Sequence, residues 1–344
     1  MKKIIALLIC LMLVTTVFVG CGISGSKAES DTITFVWYPN ESGNDLKAAR
    51  AEFAKVIEDA TGKKVEHKLT TDYAVAIETL VNGNAHISWL GAQGYVEANK
   101  KNKSVEPIFV PSGGSGTLKD AVYYSWLATK KGNESKFKSN GEYSLDKLEG
   151  KKFSFVSTSS TSGFKVPSAG IVSHFSKKDE WKDLKAEDLL QGGEGSVFKE
   201  VLFGGSHQGS AVNLLTGKAD VAAFCDVCVN NYTEFVEGKE NRPGALYKVL
   251  DDAKEPFNNL GGEEFRLISV TPVLNAPFVM NTDVLSEEDQ KAIIDAFTSK
   301  EVKNNEKIFV PEGSDFTGLF EKDGDIQFLE VEDSWFDPIR ELSK

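Results

Sequence analysis

Cysteine is scarce in this sequence, with four residues in a chain of 344. Apart from Cys21, only Cys225 and Cys228 follow the apolar segment at the start of the chain. So few cysteines cannot build the disulfide framework on which small secreted scaffolds depend. The fold must therefore rest on hydrophobic cores, and a hydrophobic content of 41% is normal for a globular protein.

Positive charge is also in short supply, since 39 lysines and arginines face 51 aspartates and glutamates, for a net charge of −12. Such a surface repels nucleic acid and anionic membrane surfaces, so we expect neither as a binding partner. The same field does not attract small anions. Any anion that the protein binds must be held by local donors.

The apolar run at the start of the chain has the pattern of a targeting segment. Two lysines precede an almost wholly apolar stretch at 4–19, which is shorter than a usual membrane-spanning helix. Residues 18–21, Phe-Val-Gly-Cys, resemble the bacterial lipobox, whose cysteine becomes the lipidated N-terminus. We interpret residues 1–21 as a lipoprotein signal peptide that ends at the lipobox Cys21, and residues 22–30 as a flexible tether. Plain secretion with a free Cys21 is the alternative.

Short strands alternate with helices in the next part of the chain. The pattern predicts strands at 32–37, 65–69 and 86–90, and helices at 45–61, 72–83 and from Gly91 through Val96. This alternation indicates an α/β fold with a parallel, doubly wound sheet. Ligands bind such sheets at the carboxyl ends of the strands, which places Tyr38, Tyr73 and the turn at 91–95 around one crevice.

A second group of elements follows a glycine-rich connection at 111–117. An aromatic strand at 121–128 leads into this group, and an apolar strand region at 268–280 leads back. The length of the chain also favours two lobes over a single core. The prediction is two doubly wound lobes joined by two hinge strands, with these bounds: residues 31–128 plus 272–344 for lobe 1, and residues 129–271 for lobe 2.

Two stretches have simpler interpretations. The lysine- and acid-rich segment at 176–190 is predicted to be a solvated face. The chain after 280 is predicted to be helical packing, and its helix at 286–297 opens with a Ser-x-x-Asp capping pattern.

The most distinctive stretch is a run of six hydroxyl residues from Ser157 to Ser162, between a short apolar strand and a helix. Hydroxyl oxygens cap the first N–H groups of a helix, and the positive end of the helix dipole favours an anion there. We expect Ser160, Thr161 and Ser162 to hold a phosphorus oxyanion. A Ser/Thr-rich surface loop with an ordinary N-cap is the alternative that spacing alone leaves open.

Several short motifs occur together in one order along the chain. They are DYA at 72–74, WLGAQGY at 89–95, LEGKKFSF at 148–155, STSGFKVP at 160–167, GSH at 205–207 and GKADV at 217–221. The set resembles the phosphate, phosphite and phosphonate substrate-binding proteins of ABC transporters (PhnD-like), over nearly the whole chain after the signal peptide. The resemblance implies a type II periplasmic-binding-protein fold and a small phosphorus-containing anion as ligand. It also implies permease and ATPase subunits as partners, no cofactor and a monomer, and the lipobox predicts that this monomer is anchored by lipid to the outer face of the bacterial cell membrane.

The resemblance also implies a cage around the phosphorus oxygens, made by hydroxyl and imidazole groups: Ser160, Thr161, Ser162, Tyr73, His207 and one of the pair Tyr123 and Tyr124, of which we favour Tyr124. Hydroxyl, backbone and imidazole donors can satisfy a desolvated oxyanion without arginine or lysine.

The organic part of the ligand is left open. Relatives that bind aminoalkylphosphonates pair the ligand amine with carboxylates. Asp226 is the candidate for such a carboxylate here, although it could equally cap a helix, and Asn275 offers no acid. A phosphate ester with a ring or a cationic group, such as thiamine phosphate, is the alternative ligand that the aromatic residues Trp37, Tyr38 and Trp126 leave open.

A phosphoester hydrolase is the competing class of protein. Ser160, His207 and Asp226 could form a nucleophile, base and acid set. However, the G-x-S-x-G elbow is missing, and clustered hydroxyls suit binding better than nucleophilic attack, so we expect no enzyme. A tethered sensor or adhesin without a transporter is a third class.

The pair Cys225-x-x-Cys228 is the one feature that the resemblance does not explain. Such a pair can be structural, redox-active or metal-binding. Zinc would need two more ligands, and His67, His86 and His174 are scattered along the chain. We therefore expect structural thiols or a local disulfide, and no metal site.

Overall fold

Two mixed β-sheets organise residues 31–342, which is the part of the chain that this computed structural model describes. The strands, in chain order, are β1 Thr32–Trp37, β2 Lys64–Leu69, β3 Ile87–Trp89, β4 Val105–Pro111, β5 Val122–Lys130, β6 Lys138–Ser139, β7 Glu142–Tyr143, β8 Lys152–Phe155, β9 Glu200–Phe203, β10 Val221–Cys225, β11 Thr233–Glu237, β12 Leu246–Val249, β13 Glu264–Leu274, β14 Phe278–Asn281, β15 Phe309–Val310, β16 Phe320–Glu321 and β17 Phe328–Glu330. The α-helices are α1 Lys47–Thr61, α2 Tyr73–Val81, α3 Ala92–Lys101, α4 Val166–Phe175, α5 His207–Leu215, α6 Glu287–Phe297, α7 Lys300–Lys303 and α8 Asp337–Glu341.

The predicted signal peptide and lipobox at 1–21 and the predicted tether at 22–30 lie outside the described residues. Within residues 31–342, no helix combines the length and the apolar character that are needed to cross a bilayer.

The first sheet has the strand order β17-β4-β14-β3-β1-β2. β1 pairs in parallel with β2 and β3, as the alternation of strands and helices predicted. β14 lies antiparallel between β3 and β4, and β17 lies antiparallel beside β4, so the sheet is mixed rather than purely parallel. β14 enters this sheet from β13 of the second sheet, three residues earlier, and not through the helical crossover that joins parallel neighbours.

Capping residues that are visible in the sequence set the helix boundaries. α1 ends at Gly62, whose φ of 71° lies in the left-handed region that glycine adopts without strain. α2 begins after Asp72, whose carboxylate accepts from the N–H of Ala74. α6 begins after Ser286, whose hydroxyl accepts from the N–H of Asp289. These residues confirm the predicted end of α1 and the predicted starts of α2 and α6.

The second sheet has the strand order β11-β12-β13-β5-β10-β8-β9. β8 pairs in parallel with β9 and β10, and the other neighbours pair antiparallel. The chain enters this sheet through β5 and leaves it through β13, and these two strands pair from Val122 opposite Leu274 to Lys130 opposite Phe265. They correspond to the two predicted hinge strands, and all of β5 lies in the second sheet. The division into lobes at residues 128 and 271 stays a prediction.

Two stretches differ from the sequence-based expectation. The segment at 176–190 is partly buried, since Leu189 is inaccessible and Trp181 and Leu184 pack against the core of the second sheet. Because this segment has many charged residues, its buried apolar residues were not recognised in the sequence. The chain after β14 is also not wholly helical, because β15, β16 and β17 lie there. Phe328 of β17 is buried and completes the core of the first sheet.

Aromatic side chains fill that core. Phe53 of α1 is fully buried, and its ring centroid lies 5.5 Å from those of Phe278 and Phe297 and 6.2 Å from that of Trp37. Large buried rings contribute strongly to the hydrophobic stabilisation of a domain. These contacts attach α1 to the sheet whose strand ends carry part of the site.

Replacing Phe53 by alanine should lower the free energy of unfolding by about 3–5 kcal/mol, because it removes a buried ring and leaves a cavity. Urea unfolding followed by tryptophan fluorescence measures this change. The control is Phe235→Ala on β11, whose side chain is exposed, with an expected loss below about 1 kcal/mol. Equal losses in the two variants would contradict the assignment of Phe53 to the core.

Candidate functional site

A cavity of about 430 Å³ lies at the carboxyl ends of strands from both sheets. Tyr38 and Gly91, which follow β1 and β3, line it from the first sheet. Ser160, which follows β8, and Cys225, the last residue of β10, line it from the second sheet. Crevices of this kind are the usual ligand sites of α/β sheets. The expectation that Tyr38, Tyr73 and the turn at Gly91 surround one crevice is confirmed.

Four helix N-termini face this cavity. Tyr73 is the first residue of α2, Gly91 precedes α3, Ser160 and Thr161 begin the turn before α4, and His207 is the first residue of α5. Helix N-termini carry partial positive charge and unpaired N–H groups. No lysine or arginine of residues 31–342 lines the cavity. The arrangement can therefore hold an anion through dipoles and neutral donors.

The second half of the hydroxyl loop at 157–162 is buried, so the surface-loop interpretation does not hold for residues 159–162, although Thr158 is exposed. Ser160, Thr161 and Ser162 are 1%, 2% and 1% exposed, respectively. The Ser160 hydroxyl accepts from the Gly163 N–H at 3.1 Å, which confirms it as an N-cap. The Ser162 hydroxyl has no hydrogen-bond partner among the described residues, although burial without one is costly. Thr161–Lys165 forms a π-turn, a geometry that is frequent at functional sites.

The close approach of Gly91 to this loop joins the two sides of the cavity. The Thr161 hydroxyl accepts from the backbone N–H of Gln93 at 2.9 Å. A Cβ atom at Gly91 would lie 2.8 Å from the same hydroxyl oxygen. Position 91 must therefore be glycine for this contact to form unchanged.

His207 is held in one ring state. Its Nδ1 accepts from the backbone N–H of Cys225 at 3.0 Å, so the neutral ring carries its proton on Nε2. Nε2 lies 3.3 Å from the Ser160 hydroxyl, at the cavity wall. Burial lowers the pKa of His207 to about 3, so the ring is neutral at ordinary pH. His207 is thus a neutral donor, and its protonated Nε2 cannot take a proton from Ser160.

Asn40 is a residue of the site that sequence reasoning missed. Its amide nitrogen donates to the Tyr73 hydroxyl at 2.7 Å, and its amide oxygen accepts from the His207 N–H at 3.0 Å. The Tyr73 ring lies 4.1 Å from the ring of Tyr38, and burial raises the pKa of Tyr73 well above its usual range. The position of Asn40, just after β1 at the carboxyl edge of the sheet, is the signal that could have identified it.

The two tyrosines at the start of β5 lie on opposite faces of the strand, as alternation requires. Tyr124 lines the cavity, but its ring packs with Trp126 against the core of the second sheet. Tyr123 also lines the cavity, and its hydroxyl lies beside those of Ser162 and Thr161. Burial raises the pKa of Tyr123 to about 12. The structure therefore puts Tyr123, rather than the favoured Tyr124, against the hydroxyl loop.

Asp226 is placed behind the wall and does not line the cavity. Its carboxylate accepts from the backbone N–H of Tyr124 at 2.9 Å. Burial raises the pKa of Asp226 to about 6. Since His207 Nδ1 is taken by a backbone N–H, Asp226 does not orient the imidazole, and the three residues of the hydrolase hypothesis do not form a triad. In this structure the Asp226 carboxylate binds the backbone of β5 through the Tyr124 N–H.

Cys225 and Cys228 are joined in a disulfide, one of the two expected states. Both cysteines line the cavity, which the sequence did not indicate. Their sulfurs and a ring nitrogen of His207 lie within 4.8 Å of one another. Disulfide sulfurs are not thiolates, however, and thiolates are the metal-binding form of cysteine. In this state the group does not offer the ligands of a zinc site.

Carboxylates and rings make up much of the remaining wall. Glu41 is buried there, while Asp120, Glu321 and Asp323 are exposed. Trp89 and Phe320 also line the cavity, and their ring centroids are 4.9 Å apart. The segment at 319–326, which the sequence assigned to helical packing, thus contributes to the site.

Replacing Gly91 by alanine should displace the Thr161 hydroxyl and lower the free energy of unfolding by about 1–3 kcal/mol. Thermal unfolding is the measurement. Gly170→Ala in α4 is the matched control, because a Cβ atom there meets nothing within 4 Å. That variant should gain up to about 1 kcal/mol from helix propensity. A neutral effect at Gly91 would argue against the contact.

His207 should make the stability of the protein depend on pH. The unfolded chain protonates His207 near pH 6.5, and the folded protein does so only at a pKa of about 3. The stability from the neutral ring is therefore complete above about pH 6.5 and is lost as the pH falls toward 3. Between pH 7 and pH 5, the wild type should lose about 2 kcal/mol more than His207→Gln in urea unfolding. The control Ser135→Ala, at an exposed serine outside the cavity, should keep the wild-type slope.

Comparisons with known proteins agree with this geometry. The family model for the periplasmic substrate-binding protein of phosphonate ABC transporters matches residues 35–336. The phosphate-import protein PhnD of Mycolicibacterium smegmatis is 29% identical over 222 residues. That match spans 64% of this chain and 62% of the relative, which is less than two thirds of the relative's length.

Two solved structures share the fold. A binding protein component of an ABC phosphonate transporter from Pseudomonas aeruginosa superposes with a TM-score of 0.64 at 21% identity, over 90% of this chain and 85% of the other. PhnD1 from Prochlorococcus marinus, in complex with methylphosphonate, gives a TM-score of 0.63 at 16% identity, over 91% of this chain and 97% of the other. The two-sheet architecture with two crossing strands is the type II periplasmic-binding-protein fold. The chain belongs to the family of periplasmic substrate-binding proteins of phosphonate ABC transporters.

Proposed function

We propose that this protein is the solute-binding component of an ABC importer and that it binds a phosphorus oxyanion (a phosphonate, phosphite or phosphate) in the cavity between the two sheets. The observation that carries the proposal is the convergence of four helix N-termini on one cavity that no lysine or arginine of residues 31–342 lines. Dipoles and oriented N–H groups at helix N-termini bind anions. Membership of the family supports the same ligand class.

The proposed cradle for the oxyanion is made of neutral donors. Ser160, Thr161 and Ser162 supply hydroxyl groups, and Nε2–H of His207 adds a donor of fixed direction. Tyr73 completes the cradle in this proposal. The position of Ser160, Thr161, Tyr73 and His207 on the cavity wall supports it.

The two-lobe division at 31–128 plus 272–344 and 129–271 gives the proposal a mechanism. Closure of the lobes around the paired β5 and β13 would exclude water and strengthen each hydrogen bond to the anion. Asn40 follows β1 of the first sheet and contacts His207 on the opposite side of the cavity. This contact would therefore form when the lobes close.

The cellular setting is also a proposal. We expect lipidation at Cys21, attachment to the outer face of the bacterial cell membrane, and delivery of the ligand to permease and ATPase subunits by a monomer. The lipobox pattern at 18–21 supports the anchor. We propose no enzymatic step, because the protonated Nε2 of His207 cannot act as a base toward Ser160. No observation favours the hydrolase hypothesis.

The test is calorimetric titration of the purified chain with phosphate, phosphite and methylphosphonate. At least one of them should bind, and Ser160→Ala should weaken its binding about 10- to 100-fold, the value of one hydrogen bond to a charged group. His207→Ala should lose a similar factor, and His207→Gln should lose less because it keeps an N–H donor. Ser135→Ala, at an exposed serine outside the cavity, is the control. Absence of binding by every oxyanion to the folded wild type would refute the proposal.

A further inference from the structure

The disulfide between Cys225 and Cys228 is a feature of the cavity wall that the proposed function does not use. The two cysteines have a sequence separation of 3, so the bond closes one tight turn and restrains that turn rather than distant parts of the chain. Cys225 is 1% exposed, whereas Val227 inside the turn is 42% exposed and also lines the cavity. The turn therefore runs from the buried wall to the surface.

The chain that follows this turn contacts the side of the first sheet. We call residues 225–232 the disulfide loop. At its end, the Tyr232 hydroxyl donates to the Asp45 carboxylate at 2.5 Å. The side-chain amide of Asn231 donates to the Gly318 carbonyl at 3.0 Å. Asp45 and Gly318 each precede a leucine of the first-sheet core, so the end of the disulfide loop connects the two sides of the cavity.

A third contact begins inside the turn. The side-chain nitrogen of Gln208 in α5 donates to the Cys228 carbonyl at 3.0 Å and to the Asn40 carbonyl at 3.2 Å. Gln208 is 6% exposed, so this donor is largely shielded from water. One buried amide thus connects the turn with Asn40, the residue that also contacts Tyr73 and the backbone of His207.

The first residue of the disulfide loop contacts the cradle directly. The backbone N–H of Cys225 donates to Nδ1 of His207 at 3.0 Å and so fixes the ring state of the imidazole. The Cys225 side chain packs in a small buried cluster with Tyr123, whose hydroxyl lies beside those of Thr161 and Ser162. The disulfide loop therefore contacts the cradle at one end and the side of the first sheet at the other.

We propose that the Cys225–Cys228 disulfide is a redox-sensitive positioning pair, and that its reduction by a dithiol weakens binding of the oxyanion. The inference rests on the proposed binding of a phosphorus oxyanion in this cavity, and it adds a control of that binding. With the bond intact, the disulfide loop is held in the shape that makes its contacts to both sides. After reduction, the loop has more conformations in the open protein, and closure must order it at a cost in entropy.

The reduction is a two-step thiol–disulfide exchange. A thiolate of the dithiol attacks the sulfur of Cys228, the more exposed of the two cysteines, and forms a mixed disulfide. The bond to Cys225 breaks, and the departing Cys225 thiolate takes up a proton. The second thiol group of the reductant then displaces Cys228, which leaves as a thiol, and the reductant closes into a cyclic disulfide. Two electrons and two protons pass from the dithiol to the cysteines.

Calorimetric titration of the full chain measures the effect of the bond on binding. The probes are phosphate, phosphite and methylphosphonate, each titrated into the oxidised protein and into protein kept in dithiothreitol. A probe that binds the oxidised protein should bind the reduced protein about tenfold more weakly, which corresponds to about 1.4 kcal/mol. Mass spectrometry after alkylation with iodoacetamide counts the free thiols and verifies the state of the pair.

The double variant Cys225→Ser/Cys228→Ser is the matched control for the reductant, since it removes the bond and leaves Cys10 and Cys21 in place. Its affinity should equal that of the reduced wild type, and dithiothreitol should not change it. Circular dichroism checks that the variant is folded. The comparison of oxidised and reduced wild type stands without this variant.

Tyr232→Phe distinguishes positioning through the disulfide loop from a general loss of stability. In the oxidised protein it removes the contact to Asp45 and should weaken binding about tenfold, the value of a hydrogen bond to a charged group. In the reduced protein the loss should be below about threefold, because a loop without the cross-link makes this contact for only part of the time. Tyr143→Phe, the same change outside the cavity, should leave the affinity unchanged in both states.

Equal affinities of the oxidised and reduced wild type would overturn the inference. An equal loss from Tyr232→Phe in the two states would also overturn it, because the disulfide would then not act through the loop. If a probe binds both states equally well, the proposed function stands and only the redox inference is lost. If no phosphorus compound binds the oxidised protein, the cradle is refuted and the inference falls with it.

Discussion

The side chain of Asn40 links the two halves of the site, and the geometry of the cradle depends on it. Asn40 follows β1 of the first sheet, donates to Tyr73 at the start of α2, and accepts from the backbone of His207 at the start of α5. This one amide therefore fixes the position of the α2 N-terminus relative to the α5 N-terminus. A buried polar network of this kind is rigid when every member is paired. The buried Oε2 of Glu41, on the cavity wall, has no hydrogen-bond partner among the described residues.

A second constraint is the absence of lysine and arginine from the cavity wall in residues 31–342. The chain is acidic overall, with a net charge of −12. An anion must then be held by helix N-termini, hydroxyl groups and a neutral imidazole, all of which act over short range. His207 fits this role because a backbone N–H occupies its Nδ1.

A large part of the fold could be predicted from local sequence patterns. The strand at 32–37 and the helices that begin after Asp72 and Ser286 follow from alternation and capping, which act within a few residues. The cradle residues Ser160 and His207 were also predictable, because each stands at a helix start after a strand. The edge strand β17 and the wall at 319–326 were not, because their burial depends on partners far away in the sequence.

The sequence by itself determined the α/β class, the helix caps and the hydroxyl loop, because these depend on neighbouring residues. Only the tertiary structure decided that Tyr123 rather than Tyr124 lies against that loop, since the face of β5 that turns toward it is set by pairing with β10 and β13. It also placed Asp226 behind the wall and Glu41 on it. Side chains that meet across two sheets are positioned by packing over long sequence distances, and no local pattern encodes that register.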